Sequence, residues 1–140
     1  MTRDEITALL TRWQDTIARR DVAALAAYYA EDVVLESPWV GSVKGREAIE
    51  EVYRAWFAAF PDVVVRADDL LIDGDRVAWI GTLVGTDMGG FMGLPPSRKP
   101  FRIPAVFLLT LDDHQIVRHR SVYDYVGMLV QIGVLKAKPA

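Results

Sequence analysis

The chain has 140 residues, 51% of them apolar, no cysteine and a net charge of −3. This length favours a single domain with a hydrophobic core, and the mixed, slightly acidic charge argues against a nucleic-acid partner. Without cysteine there are no disulfides and there is no thiolate chemistry. Residues 1–5 are polar, unlike a signal peptide, and no apolar run has the length of a membrane span. We therefore expect a cytoplasmic protein with no membrane partner.

Two helices are predicted at the start of the chain. Thr2 and Glu5 have the spacing of a capping box, in which the Glu side chain returns to the backbone of the cap. The apolar residues that follow repeat at helical period and are Ile6, Leu9, Leu10, Trp13 and Ile17. Asp21 is a good N-cap for a second, short helix over residues 22–30.

A strand, a loop and a third helix come next. β-Branched residues predict a strand over residues 33–37, which stops at Pro38. Residues 39–43 are expected to form a loop. The third helix is predicted from about residue 44 to residue 60, because aromatic and aliphatic side chains recur at helical spacing until Pro61.

Strands dominate the second half of the chain. They are predicted over residues 63–72, 76–86, 103–111 and 116–123. Asp124 then opens a short terminal helix. Helices followed by a strand meander indicate an α+β fold, with a curved antiparallel sheet wrapped around the long third helix as a cone. Residues 1–140 are expected to form one domain, and such a cone can hold a small molecule in its interior.

Four stretches of the sequence resemble one known family. They are the end of the second helix with the first strand (residues 29–34), the start of the third helix (45–49), a glycine-rich loop (85–96) and the terminal strand and helix (116–133). On these motifs the chain resembles the SnoaL-like polyketide cyclases, whose cone-shaped α+β fold is shared with ketosteroid isomerase and limonene epoxide hydrolase. The resemblance covers nearly the whole chain and implies this fold, but the fold hosts many reactions.

The residues at the known acid–base positions differ in this chain. The cyclases carry an aspartate general base where this chain has Ser121, and a histidine on the neighbouring strand where it has Phe107. Ketosteroid isomerase has its base at the position of Ser37 and an oxyanion-hole tyrosine at the position of Trp13. The epoxide hydrolases need an Arg and two Asp, and the matching strand over residues 79–83 holds neither. Three known catalytic sets therefore fall on apolar or hydroxyl residues.

By the resemblance, one face of the last strand forms a wall of the pocket. Strand alternation puts His119, Ser121 and Tyr123 on that face. His119 is a catalytic candidate because the ordinary pKa of histidine lies near neutrality; the other interpretation is a histidine hydrogen-bonded in the core. Ser121 is the second candidate. Asp87 is the third, as a base at the pocket mouth, although a turn ahead of two glycines also explains it.

The other site candidates bind a substrate through apolar and hydroxyl contacts. They are Trp13, Tyr28, Ser37, Tyr53, Trp56, Trp79, Leu83, Phe91, Phe107 and Tyr123. An aromatic stripe at helical spacing is equally explained by core packing. Asp124 is either a catalytic acid or the N-cap of the terminal helix, and Glu36 is expected to form a salt bridge outside the cavity.

No metal and no cofactor are expected. The two histidines do not have the spacing of a metal-ligand pair. The Gly89-Gly90 pair is followed by a strand, whereas a dinucleotide site needs glycines that open a helix.

Three functions remain open. The first is cofactor-independent cyclisation or isomerisation of a small hydrophobic carbonyl compound through an enolate, which the resemblance implies, with His119 moving the proton. The second is a binding protein that kept the cavity and lost the acids. The third is a hydrolase whose water is held by His119 and Ser121. Because residues 103–111 have almost no polar alternation, we also expect a homodimer through the outer face of the sheet.

Overall fold

The computed structural model describes residues 1–136, which form four α-helices and six β-strands. In chain order these are α1 (Arg3–Ala18), α2 (Val22–Ala26), β1 (Tyr29–Ser37), β2 (Gly41–Lys44), α3 (Arg46–Ala59), β3 (Val64–Asp73), β4 (Arg76–Thr86), β5 (Pro100–Asp112), β6 (Gln115–Tyr123) and α4 (Tyr125–Gln131).

The six strands form one curved sheet in the order β2-β1-β6-β5-β4-β3. Every neighbouring pair is antiparallel except β1 and β6, which run parallel. The connection from β1 to β6 contains α3 and several strands, so it is long enough for a parallel pairing. The predicted α+β fold is confirmed, with a mixed sheet in place of a wholly antiparallel one.

The predicted start of α1 is confirmed by its capping box. The Thr2 backbone N–H donates to the Glu5 carboxylate at 2.8 Å, and the Glu5 N–H donates to the Thr2 hydroxyl at 3.1 Å. The predicted stripe of α1 is buried, since each of its five side chains is at most 4% exposed. This stripe packs α1 against the concave side of the sheet and buries Trp13 in the core.

The predicted second helix is too long. It ends at Ala26, because the backbone that follows is taken up by pairing with other elements. The carbonyl of Tyr28 accepts the Ile116 N–H at 2.7 Å, and the carbonyl of Tyr29 accepts two bonds from the Arg46 guanidinium at 2.7 and 3.0 Å. Tyr29 therefore belongs to β1 and not to a helix.

The loop predicted over residues 39–43 is also partly wrong. Residues Gly41–Lys44 form β2, which pairs with β1 in a hairpin. Gly41 at φ +69° and Gly45 at φ +99° allow the chain to turn into β2 and then into α3, in a region that glycine adopts most easily.

β5 is almost continuously apolar, and its side chains lie on both faces of the sheet. Its buried residues alternate along the strand and are Phe101, Ile103, Ala105, Phe107, Leu109 and Leu111. The residues between them lie on the outer face, where Leu108 is 37% exposed. The inner face builds the core, and the outer face carries Pro104, Val106 and Leu108 between the polar residues Arg102 and Thr110.

Asp124 is the N-cap of α4, as one of its two sequence interpretations predicted. Its carboxylate accepts the Gly127 N–H at 2.9 Å, which satisfies one of the unpaired donors of the first helical turn. Asp124 does not line the central cavity described below.

We predict that Asp124→Asn leaves stability nearly unchanged, because asparagine caps helices about as well as aspartate. Asp124→Ala removes the cap and should lower the free energy of unfolding by about 1 kcal/mol. Urea denaturation of the three proteins measures this. Equal losses for the Asn and Ala variants would show that the charge of Asp124, and not its capping bond, stabilises the fold.

Candidate active site

An apolar cavity lies between α1, α3 and the concave face of the sheet, with a volume of about 80 Å³. Its lining residues are Trp13, Ile17, Tyr29, Leu35, Ser37, Ile49, Val52, Tyr53, Trp56, Phe57, Val63, Val65, Leu83, Phe107, His119, Ser121 and Tyr123. None of these is an acid, a lysine or an arginine. The polar side-chain groups of this lining are three hydroxyls of tyrosine, two of serine, one imidazole and the indole N–H groups of Trp13 and Trp56.

His119 lies on β6 with both ring nitrogens occupied. Nδ1 is 3.0 Å from the Tyr29 hydroxyl, and Nε2 is 3.0 Å from the Ser121 hydroxyl. The ring is 4% exposed, lies parallel to the Tyr29 ring and contacts the edge of Trp13. β6 places it at the centre because this strand sits between β1 and β5.

The Tyr29 hydroxyl is the branching point of the network. It accepts a hydrogen bond from the Trp13 indole N–H at 3.3 Å and lies 2.7 Å from the Tyr53 hydroxyl. Together with His119 it thus has three polar neighbours, which is the full capacity of a phenol. α1, β1, α3 and β6 each contribute one side chain to this cluster.

The network is electrically neutral at neutral pH. Burial lowers the pKa of His119 to about 3, so the imidazole carries no charge. Burial raises the pKa of Tyr53 to about 12 and that of Tyr29 well above its ordinary value. The expectation that His119 titrates near neutrality is therefore wrong, because its ring lies in an apolar wall with no carboxylate in the cavity lining to stabilise the charged form.

Tyr123 provides a different kind of polar group. Its hydroxyl is buried and makes no hydrogen bond of good geometry among residues 1–136, although Ser37 and the Trp39 backbone lie near it, and burial raises its pKa. Ser37, also in the lining, accepts the Val40 N–H at 3.2 Å. A buried unpaired hydroxyl is unfavourable by about 1–3 kcal/mol, so a ligand oxygen bound at Tyr123 would remove that penalty.

The structure brings most of the predicted site residues together. The residues that line one cavity, as the sequence predicted, are Trp13, Ser37, Tyr53, Trp56, Leu83, Phe107, His119, Ser121 and Tyr123. The predicted alternation on β6 is correct, with residues 119, 121 and 123 all facing inward.

Asp87 lies outside the cavity. It is 2% exposed, and its two carboxylate oxygens accept the N–H groups of Gly90 and Ser97, each at 3.0 Å. These bonds hold the two ends of the loop between β4 and β5 together. The expected position at the pocket mouth is wrong, because the backbone of this loop occupies the carboxylate.

Three predicted binding residues also lie outside the lining. Trp79 stacks behind Phe107 with ring centroids 4.7 Å apart. Phe91 packs against Phe60 at the end of the core, 5.2 Å between centroids. The Tyr28 hydroxyl lies 3.4 Å from the Thr16 hydroxyl of α1. The first two stabilise the wall of the cavity, and none of the three is in its lining.

Tyr29 is the residue that sequence reasoning missed. The sequence pattern predicts Tyr29 at the end of the second helix. Simple alternation along β1 does not predict the orientation of its side chain either, because the pairing of β1 with β6 shifts register between Tyr29 and Val34. A tyrosine at the start of a β-branched strand was the only available signal.

Three further predictions concern a surface salt bridge, metal ligands and membrane-spanning helices. Glu36 forms the expected salt bridge, with its carboxylate 2.9 Å from the Arg118 guanidinium on the outer face. Over residues 1–136, no three His, Asp or Glu side chains cluster as metal ligands would. In the same part of the chain, no helix is long and apolar enough to cross a membrane.

The fold and the cavity define the class of the protein. A structure with a ketosteroid isomerase-like fold from Catenulispora acidiphila, in complex with trimethylamine, superposes with a TM-score of 0.79 at 22% identity, over 94% of this chain and 97% of that one. The sequence model of the SnoaL-like polyketide cyclases matches residues 7–132. The chain belongs to the SnoaL-like polyketide cyclase family.

Individual relatives carry several different activities in their names. IdmH, a candidate polyketide cyclase from Streptomyces antibioticus, has 27% identity and a TM-score of 0.78 over 91% of this chain and 97% of its own. AclR, a candidate hydroxylase from Streptomyces galilaeus, has 25% identity and a TM-score of 0.85 over 99% and 87%. The steroid Delta-isomerase of Nocardioides simplex is 49% identical over 53 residues, which are 36% of this chain and only 42% of that protein.

We predict that His119 makes the protein less stable in mild acid. The unfolded chain binds a proton at this histidine below about pH 6.5, whereas the folded chain binds it only near pH 3. Between those values the unfolded state holds more protons, so the free energy of unfolding falls as the pH falls. From pH 6.5 to pH 5 this loss amounts to roughly 2 kcal/mol.

Urea denaturation at pH 7 and pH 5 measures this loss. His119→Gln should lose less stability between the two pH values than the unmodified protein. His114→Gln, at the exposed turn between β5 and β6, is the matched control and should behave like the unmodified protein. The same pH dependence in all three proteins would show that His119 is not the group responsible.

Proposed function

We propose that the protein is an isomerase- or cyclase-type enzyme that moves protons on a small hydrophobic carbonyl compound, through an enol and without a cofactor. The observation that carries this proposal is the neutral imidazole of His119, held between two hydroxyls in an otherwise apolar cavity. The family and the isomerase named among its relatives support a reaction of this type.

The polar groups of the cavity have separate roles in this proposal. The Tyr123 hydroxyl donates to the substrate carbonyl, since it is buried in the cavity lining and makes no well-formed hydrogen bond within the described residues. Hydrogen bonds to a developing enol oxygen strengthen where water is excluded and the surroundings are apolar. The proton leaves or enters the substrate carbon at the Ser121 hydroxyl, which is backed by His119 at 3.0 Å.

The size of the cavity restricts the substrate. Sites for drug-sized ligands usually measure 300–1,000 Å³, whereas this cavity has about 80 Å³. A compound of one ring fits the space far better than a polycyclic one. A larger substrate requires Trp56 and Phe57, both half-buried on α3, to swing away from the sheet.

One observation favours a second function, the non-catalytic binding of a small hydrophobic ligand. The cavity lining contains no Asp or Glu. By the resemblance, Ser37 stands at the position of the base of ketosteroid isomerase, and Ser121 stands at the position of the base of the cyclases. A general base of suitable pKa is worth about a hundredfold or more in rate. The absence of such a base is consistent with a cavity that binds a ligand without converting it.

We predict slow conversion of cyclohex-3-en-1-one to its conjugated isomer, followed by the ultraviolet absorbance of the product. Because the pKa of His119 is about 3 and that of Tyr53 about 12, the rate should not change between about pH 5 and pH 9. His119→Gln should lower the rate about a hundredfold, and Ser121→Asp should raise it by about the same factor.

The binding function predicts a different result for the same proteins. The ketone would then bind, as seen by quenching of tryptophan fluorescence, with no product from either the unmodified chain or Ser121→Asp. That result would contradict the enzymatic proposal. His114→Gln, remote from the cavity, is the matched control and should retain the full rate.

We also propose a homodimer formed through the outer face of the sheet. Leu71, Leu108 and Val122 lie on that face and are 56%, 37% and 49% exposed, so pairing would remove an apolar surface from water.

Sedimentation velocity at micromolar concentration should show a dimer. Leu108→Lys places a charge on the outer face and should shift the protein toward the monomer. Val126→Lys is the control, because Val126 is equally apolar and 61% exposed but lies on α4, outside the sheet. A monomeric unmodified protein at this concentration would rule out the proposed interface.

A further inference from the structure

We propose that a chain of four hydrogen-bonded side chains carries a proton between two atoms of the same substrate. In order, the chain is Ser121, His119, Tyr29 and Tyr53. The inference rests on the proposed function, which it deepens by assigning a role to Tyr29 and Tyr53 and by naming the substrate class.

The contacts of the chain are continuous, and both of its ends reach the cavity. The three links measure 3.0 Å from Ser121 to His119, 3.0 Å from His119 to Tyr29 and 2.7 Å from Tyr29 to Tyr53. Ser121 and Tyr53 both line the cavity and are only partly buried. A single ligand can therefore contact the first and the last hydroxyl of the chain.

Trp13 restricts the hydrogen bonds that Tyr29, in the middle of the chain, can make. An indole N–H can only donate, so it occupies one lone pair of the Tyr29 oxygen. Tyr29 is then left with one proton and one lone pair for two neighbours, Tyr53 and His119. It must donate to one of them and accept from the other.

The neutral imidazole of His119 must likewise donate one hydrogen bond and accept the other. One nitrogen of His119 carries a proton and the other accepts one. If Ser121 donates to Nε2, then Nδ1–H donates to Tyr29, and Tyr29 donates to Tyr53. If Nε2–H donates to Ser121, every bond in the chain points the opposite way.

The two arrangements present opposite groups to the cavity. In the first, the Tyr53 hydroxyl has a proton to donate to a ligand, and the Ser121 oxygen has lone pairs to accept one. In the second, Ser121 donates and Tyr53 accepts. A ligand with one acidic C–H and one carbonyl oxygen matches the first arrangement, and its enol matches the second.

The reaction converts one arrangement into the other. The substrate C–H bond breaks and its proton bonds to the Ser121 oxygen, whose own proton moves to Nε2. The Nδ1 proton moves to the Tyr29 oxygen, the Tyr29 proton to the Tyr53 oxygen, and the Tyr53 proton to the substrate carbonyl. Each group gains one proton and loses one, so a ketone becomes its enol without an ion or a redox change.

The reverse transfer completes an isomerisation. If Ser121 returns its proton to a different carbon of a dienol, the enol oxygen gives its proton back to Tyr53 and the chain recovers its first arrangement. The substrate class is thus a β,γ-unsaturated ketone or a comparable enolisable carbonyl compound. The raised pKa of Tyr53 and the lowered pKa of His119 agree with a chain that stays uncharged. The chain moves the proton with serine, and not a carboxylate, at position 121.

Nitrogen-15 NMR of histidine-labelled protein at pH 7 tests the chain without a substrate. We expect His119 to exchange between its two neutral tautomers. Tyr53→Phe removes one neighbour of Tyr29, whose proton then has only Nδ1 as an acceptor, so His119 should hold the Nε2–H tautomer alone. Tyr123→Phe removes another hydroxyl of the cavity but none of the chain, and should leave the tautomers as in the unmodified protein. One fixed tautomer shared by all three proteins would overturn the inference.

Kinetics with cyclohex-3-en-1-one supply the second measurement. Several protons in motion should give a curved dependence of the rate on the deuterium fraction of the solvent, and Tyr53→Phe should lower the rate about a hundredfold. A linear dependence with no loss in Tyr53→Phe would overturn the chain and leave the proposed isomerase intact. Tautomers that respond to Tyr53→Phe without any turnover would support the chain and overturn the proposed function.

Discussion

The rest of the site depends on one constraint, the burial of a histidine whose two nitrogens are both hydrogen-bonded to neutral hydroxyls. An imidazolium in this position would be unfavourable, because the cavity lining contains no carboxylate to stabilise it. His119 therefore remains neutral and keeps one donor and one acceptor. Tyr29 and Ser121 must adapt to whichever tautomer is present, and this couples the polar groups of the cavity to one another.

The sheet and two of the helices bring the side chains of this network together. β6 is placed in the middle of the sheet by a parallel pairing with β1 and an antiparallel pairing with β5. α1 and α3 then close the concave face and bring Trp13 and Tyr53 to the Tyr29 hydroxyl. Each of the four contributing elements also places apolar side chains in the core.

The cavity lining holds serines at positions 37 and 121 and no carboxylate, which limits the chemistry that the proposed enzyme can perform. A carboxylate base would carry a charge through the reaction, whereas hydroxyls and a neutral imidazole can pass protons only if each donor is also an acceptor. Such a site favours tautomerisation of a small neutral ketone over the removal of a proton by a strong base. In the proposed function, the buried hydroxyl of Tyr123 is a further donor for the carbonyl oxygen.

The sequence by itself determined the α+β fold, most helix and strand boundaries, the cap at Thr2 and which residues of β6 share a face, because these follow from local periodicity and short-range hydrogen bonding. The family resemblance indicated which face of β6 is inward, and the structure decided that Asp124 is a cap. The sequence also predicted most of the cavity wall. Only the tertiary structure decided that Asp87 binds its own loop, that Tyr29 leaves the helix for the sheet, and that His119 is neutral. Each of these depends on contacts between residues far apart in the chain, as between Tyr29 and His119, and on the burial those contacts produce.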